Sequence, residues 1–148
     1  MDQARKAALA RLDALIGEWS VQASFPGAPP GRTVFEWLAG EQFLLQRWEV
    51  PHPDAPDGIA IIGLDRDGEE YSQHYFDSRG VARVYTMSFG DGVWKLSRDS
   101  PDFSPLNFSQ RFVGTFSGDG NTIHGGWESS SDGSSWEHDF DLTYTKVS

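Results

Sequence analysis

Five side chains that can form hydrogen bonds fall on strand faces that are otherwise apolar. Residues two apart share a face in a β-strand, so the neighbours on each face can be counted directly. A guanidinium is costly to bury unless a carboxylate, a carbonyl or a ligand partners it. We therefore predict that these side chains orient a small, largely apolar molecule inside the protein. The predicted ligand-binding residues are Arg83, Tyr85, Arg98, Gln110 and His138.

The polar side chains on these faces also fit a purely structural role. Arg83 and Arg98 can form salt bridges within the wall of the sheet or extend their charged ends to its rim. His138 can be a core histidine that hydrogen-bonds a backbone carbonyl. Both alternatives stay open at this point, because each depends on which neighbours the fold brings to these side chains.

A single helix is predicted near the start of the chain, over residues 3–16. Leu9, Leu12 and Ile16 fall on one stripe at the helical period, whereas most charged side chains of this segment fall elsewhere. Gly17 is predicted to end the helix, because glycine readily adopts the left-handed conformation that often closes one.

The rest of the chain predicts an all-β fold. Short runs rich in aromatic and β-branched residues alternate with turns that contain Gly, Asp or Pro. Turns such as Arg66-Asp67-Gly68 and Asp132-Gly133 favour hairpins between consecutive strands. The predicted strands cover residues 18–25, 33–38, 43–50, 59–65, 71–76, 81–89, 93–98, 107–116, 122–128 and 135–145.

Closure of these strands into a barrel is favoured over an open sheet. Amphipathic strands joined by short turns leave two exposed edges unless the sheet closes on itself. We predict a closed, antiparallel up-and-down barrel of about ten strands behind the N-terminal helix. A barrel wider than eight strands tends to leave internal space that side chains do not fill. Two longer connections that contain proline, residues 51–57 and 100–105, are predicted to surround the mouth of that space.

Composition and charge narrow the range of partners. The chain has 148 residues, no cysteine and a formal net charge of −10. These values predict one domain over residues 1–148, disfavour nucleic acid and anionic membrane surfaces as partners, and exclude disulfides and thiolate chemistry. The first residues lack a signal-peptide core, and we expect a cytoplasmic protein, with a homodimer as a further possibility.

A short motif at the start of the first strand carries a family resemblance. Gly17-Glu18-Trp19 follows the helix and is similar to the Gly-x-Trp signature of calycins, which include lipocalins, fatty-acid-binding proteins and nitrobindins. The number of strands and the helix-first order extend the likeness over nearly the whole chain. Residues 74–80 (HYFDSRG) and 125–128 (GGWE) also resemble an uncharacterised bacterial calycin-like family. The resemblance implies a barrel with an interior binding site.

Different calycin groups imply different sites. Nitrobindins ligate haem iron through a histidine near the C-terminal end of the chain, so resemblance to them implies haem bound by His138. Fatty-acid-binding proteins use an Arg-x-Tyr carboxylate clamp in the last strand, whereas Arg83-Val84-Tyr85 lies in the sixth predicted strand. Other calycin-like barrels are decarboxylases or cyclases, which implies an enzyme in which Tyr75 or Tyr85 has a lowered pKa and transfers protons.

Binding without catalysis is favoured by the residues themselves. The sequence contains no HExxH motif, no Gly-x-Ser-x-Gly motif and no phosphate-binding glycine loop. No nucleophile and base can be paired from their spacing. We therefore predict a barrel that binds a small hydrophobic or aromatic molecule. A haem protein with His138 as the axial ligand and a barrel enzyme are the alternatives, and no metal site other than haem iron is expected.

Overall fold

The N-terminal helix and the ten strands predicted from the sequence are present in the structure, a computed structural model that describes residues 3–65 and 70–148. The α-helix α1 spans Gln3–Arg11, and a 3₁₀ helix over Leu12–Leu15 continues it. The strands are β1 Gly17–Ala23, β2 Gly31–Trp37, β3 Phe43–Glu49, β4 Gly58–Leu64, β5 Tyr71–Asp77, β6 Ala82–Gly90, β7 Val93–Arg98, β8 Ser109–Phe116, β9 Thr122–Ser130 and β10 Glu137–Lys146.

Antiparallel pairing closes these strands into one barrel, which confirms the predicted fold class. Each strand pairs with the next along the chain, and β1 pairs with β10 to complete the circle. At this closing seam Val21 lies opposite Tyr144 and Ala23 lies opposite Leu142. Each of the ten described strands therefore has a partner on both sides, which removes the two edges that an open meander would expose.

The helical segment plugs one end of the barrel. The side chains of Leu12 and Leu15 are fully buried in the core that they share with Trp19. The indole of Trp19 donates a hydrogen bond of 2.8 Å to the Leu15 carbonyl, and the Tyr71 hydroxyl donates one of 2.8 Å to the Ala8 carbonyl. Because β1 starts immediately after this plug, the β1–β2, β3–β4, β5–β6, β7–β8 and β9–β10 connections all lie at the opposite end.

An aromatic cluster occupies part of the barrel interior next to two glycines. Phe112 packs against Trp94 and Trp127, with ring centroids 5.1 Å apart in both pairs. A Cβ atom added to Gly125 or Gly114 would overlap the Phe112 ring, so the absence of side chains there makes room for it. This cluster takes up space in the barrel interior and leaves the rest toward the end opposite the plug.

The turn glycines adopt the conformations that the sequence favours. Gly80, Gly92, Gly120 and Gly133 have φ angles between +76° and +85°, a region that costs glycine little. The predicted turn Arg66-Asp67-Gly68 lies outside the described residues. Within the described ranges, no helix has the length and apolar character required to cross a membrane.

Truncation of a buried plug residue should destabilise the barrel. Leu12→Ala is expected to lower the free energy of unfolding by about 3 kcal/mol, because it removes a fully buried side chain and leaves a cavity. Urea denaturation followed by tryptophan fluorescence measures the change. The matched control is Leu38→Ala. Because Leu38 is 36% exposed, its truncation should lower the free energy of unfolding far less. If both variants lost the same free energy of unfolding, the conclusion that the helical segment closes this end of the barrel would be wrong.

Candidate ligand-binding cavity

A cavity of about 800 Å³ occupies the barrel interior and extends to the end opposite the helical plug. Residues of the β1–β2 connection and of the β3–β4 connection line its mouth, including Phe25, Pro29, His52 and Pro56. The predicted rim loop over residues 51–57 therefore does lie at the cavity mouth. The second predicted rim loop, residues 100–105, contributes no lining residue.

Ten aromatic side chains contribute to the cavity wall. Trp48 stacks on Tyr75 with ring centroids 5.3 Å apart and an interplanar angle of 25°. Tyr85 meets Trp127 edge to face at 5.6 Å. Gly58 allows the first stack, because a Cβ atom there would overlap the Trp48 indole. The aromatic lining residues are Phe25, Trp48, Tyr75, Tyr85, Trp94, Phe108, Phe112, Trp127, Phe140 and Tyr144.

Three of the five predicted site residues form a polar cluster in this aromatic wall. Gln110 Oε1 accepts a hydrogen bond of 2.9 Å from the Tyr85 hydroxyl and one of 3.3 Å from Arg83 Nη1. The Arg83 guanidinium also lies over the Phe108 ring, 5.5 Å from its centroid. Burial raises the pKa of Tyr85, although the positive charge of the neighbouring Arg83 guanidinium opposes the shift. Tyr85 is therefore a neutral donor, and Arg83 carries the positive charge of the cluster.

Arg98 is buried as predicted, but it does not line the cavity. Its Nε and Nη2 atoms donate hydrogen bonds of 2.7 and 2.9 Å to the two carboxylate oxygens of Asp102. The same carboxylate accepts a hydrogen bond of 2.8 Å from the backbone N–H of Val84 in β6. Arg98 therefore fastens the β7–β8 connection to the barrel wall. Arg98 therefore has the predicted structural role, a salt bridge in the barrel wall, and does not contact the cavity.

His138 lies outside the barrel, so its predicted interior position is wrong. The register shifts between His138 and Phe140, where a β-bulge places Asp139 as an extra residue in β10. His138 consequently lies opposite Glu128 on the outer face, whereas Phe140 lies opposite Trp127 on the inner face. The His138 side chain is 59% exposed, and its Nε2 atom is 3.4 Å from an Asp141 carboxylate oxygen. Simple alternation along the strand cannot detect such a bulge.

Two lining glutamines were missed by the sequence reasoning. Gln46 and Gln73 are 6% and 5% exposed and both line the cavity. Gln73 lies on β5, whose two faces are equally polar in sequence, so neither face could be assigned to the interior. Gln46 could have been found, because it shares a face with Leu44 and Trp48 by alternation. Among the described residues, Gln73 Oε1 and Trp94 Nε1 are buried without a hydrogen-bond partner.

The cavity tyrosines do not have the lowered pKa that a proton-transferring enzyme would need. Burial raises the pKa of Tyr75, and the hydrogen bond of 2.6 Å that its hydroxyl donates to Asp77 raises it further. Burial disfavours the Asp77 carboxylate, but hydrogen bonds from Arg79 and Tyr75 outweigh this and lower its pKa to about 2. Tyr75 is thus a protonated phenol held by an ionised carboxylate, which stabilises the β5–β6 turn.

A second concavity of about 540 Å³ lies at the surface of β1, β2 and β3. Its charged lining includes Glu18, Arg32, Glu49 and Asp57, and Glu18 forms a salt bridge of 2.8 Å with Arg32. Its aromatic lining residue, Trp19, is fully buried. This groove therefore offers a ligand charged groups that solvent already screens, whereas the interior cavity offers apolar walls.

Comparisons with known proteins show a shared fold alone. The barrel is similar to the crystal structure of Rv2717c from M. tuberculosis, with a TM-score of 0.61 and 16% sequence identity. The similarity covers 95% of this chain and 98% of that chain. No family model matches the sequence, and no curated protein matches it.

The buried Arg98–Asp102 pair should make stability depend on both partners and on pH. Asp102→Asn is expected to lower the free energy of unfolding by about 3 kcal/mol, because it leaves the Arg98 charge buried without a carboxylate. The hydrogen bond from Arg98 lowers the pKa of Asp102 well below 3.8. The unfolded state therefore binds this proton first as pH falls, so stability is lost below about pH 4. Urea denaturation at several pH values measures both effects.

The variant should also flatten the acid limb of the stability profile, since an asparagine side chain has no carboxylate to protonate. Glu36→Gln provides a matched control, because Glu36 pairs with Arg47 on the surface and both side chains are more than half exposed. It should leave stability and its pH dependence nearly unchanged. A normal acid limb in Asp102→Asn would show that this ion pair does not stabilise the barrel.

Proposed function

We propose that the protein binds a small, largely apolar molecule in the barrel interior. The cavity of about 800 Å³ carries this proposal, because ten aromatic side chains line it and a convergent polar cluster lies among them. Arg83, Tyr85 and Gln110 form that cluster and would hold the polar end of the ligand. Small-molecule sites in proteins share this combination of apolar walls and a few placed polar groups.

The loose packing around this space supports the proposal. Protein interiors are normally packed as densely as organic crystals, whereas the side chains around this cavity leave about 800 Å³ between them. Gln73 Oε1 and Trp94 Nε1 add the cost of two buried polar atoms without partners among the described residues. Features that oppose stability concentrate at functional sites. A bound molecule that fills the cavity would recover part of both losses.

The same observations favour binding over the two alternatives. Haem ligation by His138 would require an imidazole aimed into the cavity, and His138 lies on the outer face. Proton transfer by Tyr75 or Tyr85 would require an accessible pKa, and both pKa values are raised. Calycin-like kinship, indicated by Gly17-Glu18-Trp19 and consistent with the shared barrel fold, adds support for an interior ligand site.

Filling the cavity should abolish binding of a neutral hydrophobic dye. Nile red is expected to bind the native protein saturably with increased fluorescence, because it moves from water to an aromatic cavity. Ala23→Phe places a ring in the cavity and should weaken binding at least roughly tenfold. Fluorescence titration measures the affinity, and circular dichroism verifies that the variant is folded.

Val113→Phe is the matched control for this substitution. Val113 lies on β8 with 40% exposure, so the added ring should leave dye binding unchanged. The proposal would be abandoned if Nile red did not bind the native protein, or if Ala23→Phe and Val113→Phe bound it equally well.

A further inference from the structure

We infer that the ligand is a planar aromatic anion, such as an aromatic carboxylate, whose charged group contacts Arg83. This inference rests on the proposed function and specifies the chemical class of its ligand. Two features of the cavity carry it: a guanidinium with unused hydrogen-bond donors, and walls to which ten aromatic side chains contribute.

Arg83 is half-buried but forms no salt bridge with any Asp or Glu in residues 3–65 and 70–148. Its guanidinium has five N–H donors, and it uses one of them in the 3.3 Å hydrogen bond to Gln110. A neutral amide oxygen does not compensate a partly desolvated positive charge. A carboxylate would do so, and its two oxygens match the fork of the guanidinium.

The other cations in the cavity lining already have anionic partners. Arg79 forms a salt bridge of 2.7 Å with Asp77, and Arg32 forms one of 2.8 Å with Glu18. Arg83 is therefore the lining cation that can receive an anion, as far as the described residues extend. The acidic lining residues Glu49, Asp54 and Asp139 are exposed, so solvent screens their repulsion of an anion.

The neighbours of Arg83 hold it in place and leave its donors free. A guanidinium can only donate, so the Gln110 atom that contacts it is the amide oxygen. The same oxygen accepts a hydrogen bond of 2.9 Å from the Tyr85 hydroxyl. The Tyr85 hydroxyl therefore donates its hydrogen to Gln110, and the Gln110 amide oxygen accepts hydrogen bonds from both Tyr85 and Arg83. Gln110 is a positioning residue, whereas Arg83 supplies the charge that the anion meets.

The arrangement of the rings favours a planar ligand over an alkyl chain. Trp48 stacks on Tyr75, while Tyr85 and Phe112 each pack on Trp127. These contacts hold the rings in fixed orientations, which suits offset or edge-to-face contact with another ring. A flexible chain would lose rotational freedom on binding and gain no such directional contact. The aliphatic lining side chains larger than alanine and proline are four among the described residues, fewer than the aromatic ones: Val21, Val50, Leu96 and Leu142.

Isothermal titration calorimetry with three probes tests the inference on the native protein. Naphthoate combines the ring and the carboxylate, naphthylmethanol has the ring without the charge, and decanoate has the charge without the ring. Naphthoate is expected to bind at least roughly tenfold tighter than either other probe, since a hydrogen bond to a charged group contributes about a factor of ten or more.

Substitution of Arg83 tests whether this residue causes the preference for naphthoate over naphthylmethanol. Arg83→Met should weaken naphthoate binding at least roughly tenfold while naphthylmethanol binding stays unchanged, and Arg83→Lys should retain part of the preference because it keeps the charge. Arg47→Met is the matched control: it removes the same charge from the outer surface, where Arg47 pairs with Glu36, and should leave all three affinities unchanged.

Different outcomes overturn the inference and the proposed function separately. Equal binding of naphthoate and naphthylmethanol, or an unchanged preference in both folded Arg83 variants, would refute the anionic group. Decanoate binding as tight as naphthoate would refute the planar ring. Failure of all three probes while Nile red still binds in the cavity would refute the ligand class and leave the proposed function standing. Failure of Nile red as well would refute both.

Discussion

Closure of the sheet through the β1–β10 seam is the constraint on which the rest of the structure depends. Val21 opposite Tyr144 and Ala23 opposite Leu142 join the two ends of the chain, so every inward-facing side chain shares one interior. Because ten strands enclose more space than their own side chains fill, the interior needs further closure. The helical plug supplies it at one end with Leu12 and Leu15. The cavity mouth therefore lies at the other end of the barrel.

The interior is divided by the sizes of neighbouring side chains. Gly114 and Gly125 leave room for the Phe112 ring, and that ring supports Trp94 and Trp127. Small and large side chains thus alternate across the barrel, as dense packing requires. Nearer the mouth the rings stand around open space instead of filling it. The same aromatic residues therefore serve as core on one side and as cavity wall on the other.

The two interior arginines show how local partners decide function. Both were expected on apolar faces, and both are at least half-buried. Arg98 meets the Asp102 carboxylate, which also accepts the Val84 amide, so its charge is used within the fold. Arg83 meets the neutral Gln110 amide, so its charge is still available. The difference comes from one acidic residue in the β7–β8 connection, close to Arg98 and far from Arg83 in sequence.

Local patterns by themselves determined the helix, the ten strands and the inward faces of β6, β7 and β8, because alternation and turn chemistry depend only on near neighbours. The inward placement of Arg83, Tyr85 and Gln110 was predictable for that reason. The tertiary structure alone decided the rest. A bulge at Asp139 moved His138 outward, cross-strand packing chose the inner face of β5 with Gln73, and the fold brought Asp102 to the Val84 N–H of β6. Each of these depends on contacts between strands and loops, which no pattern within a single strand encodes.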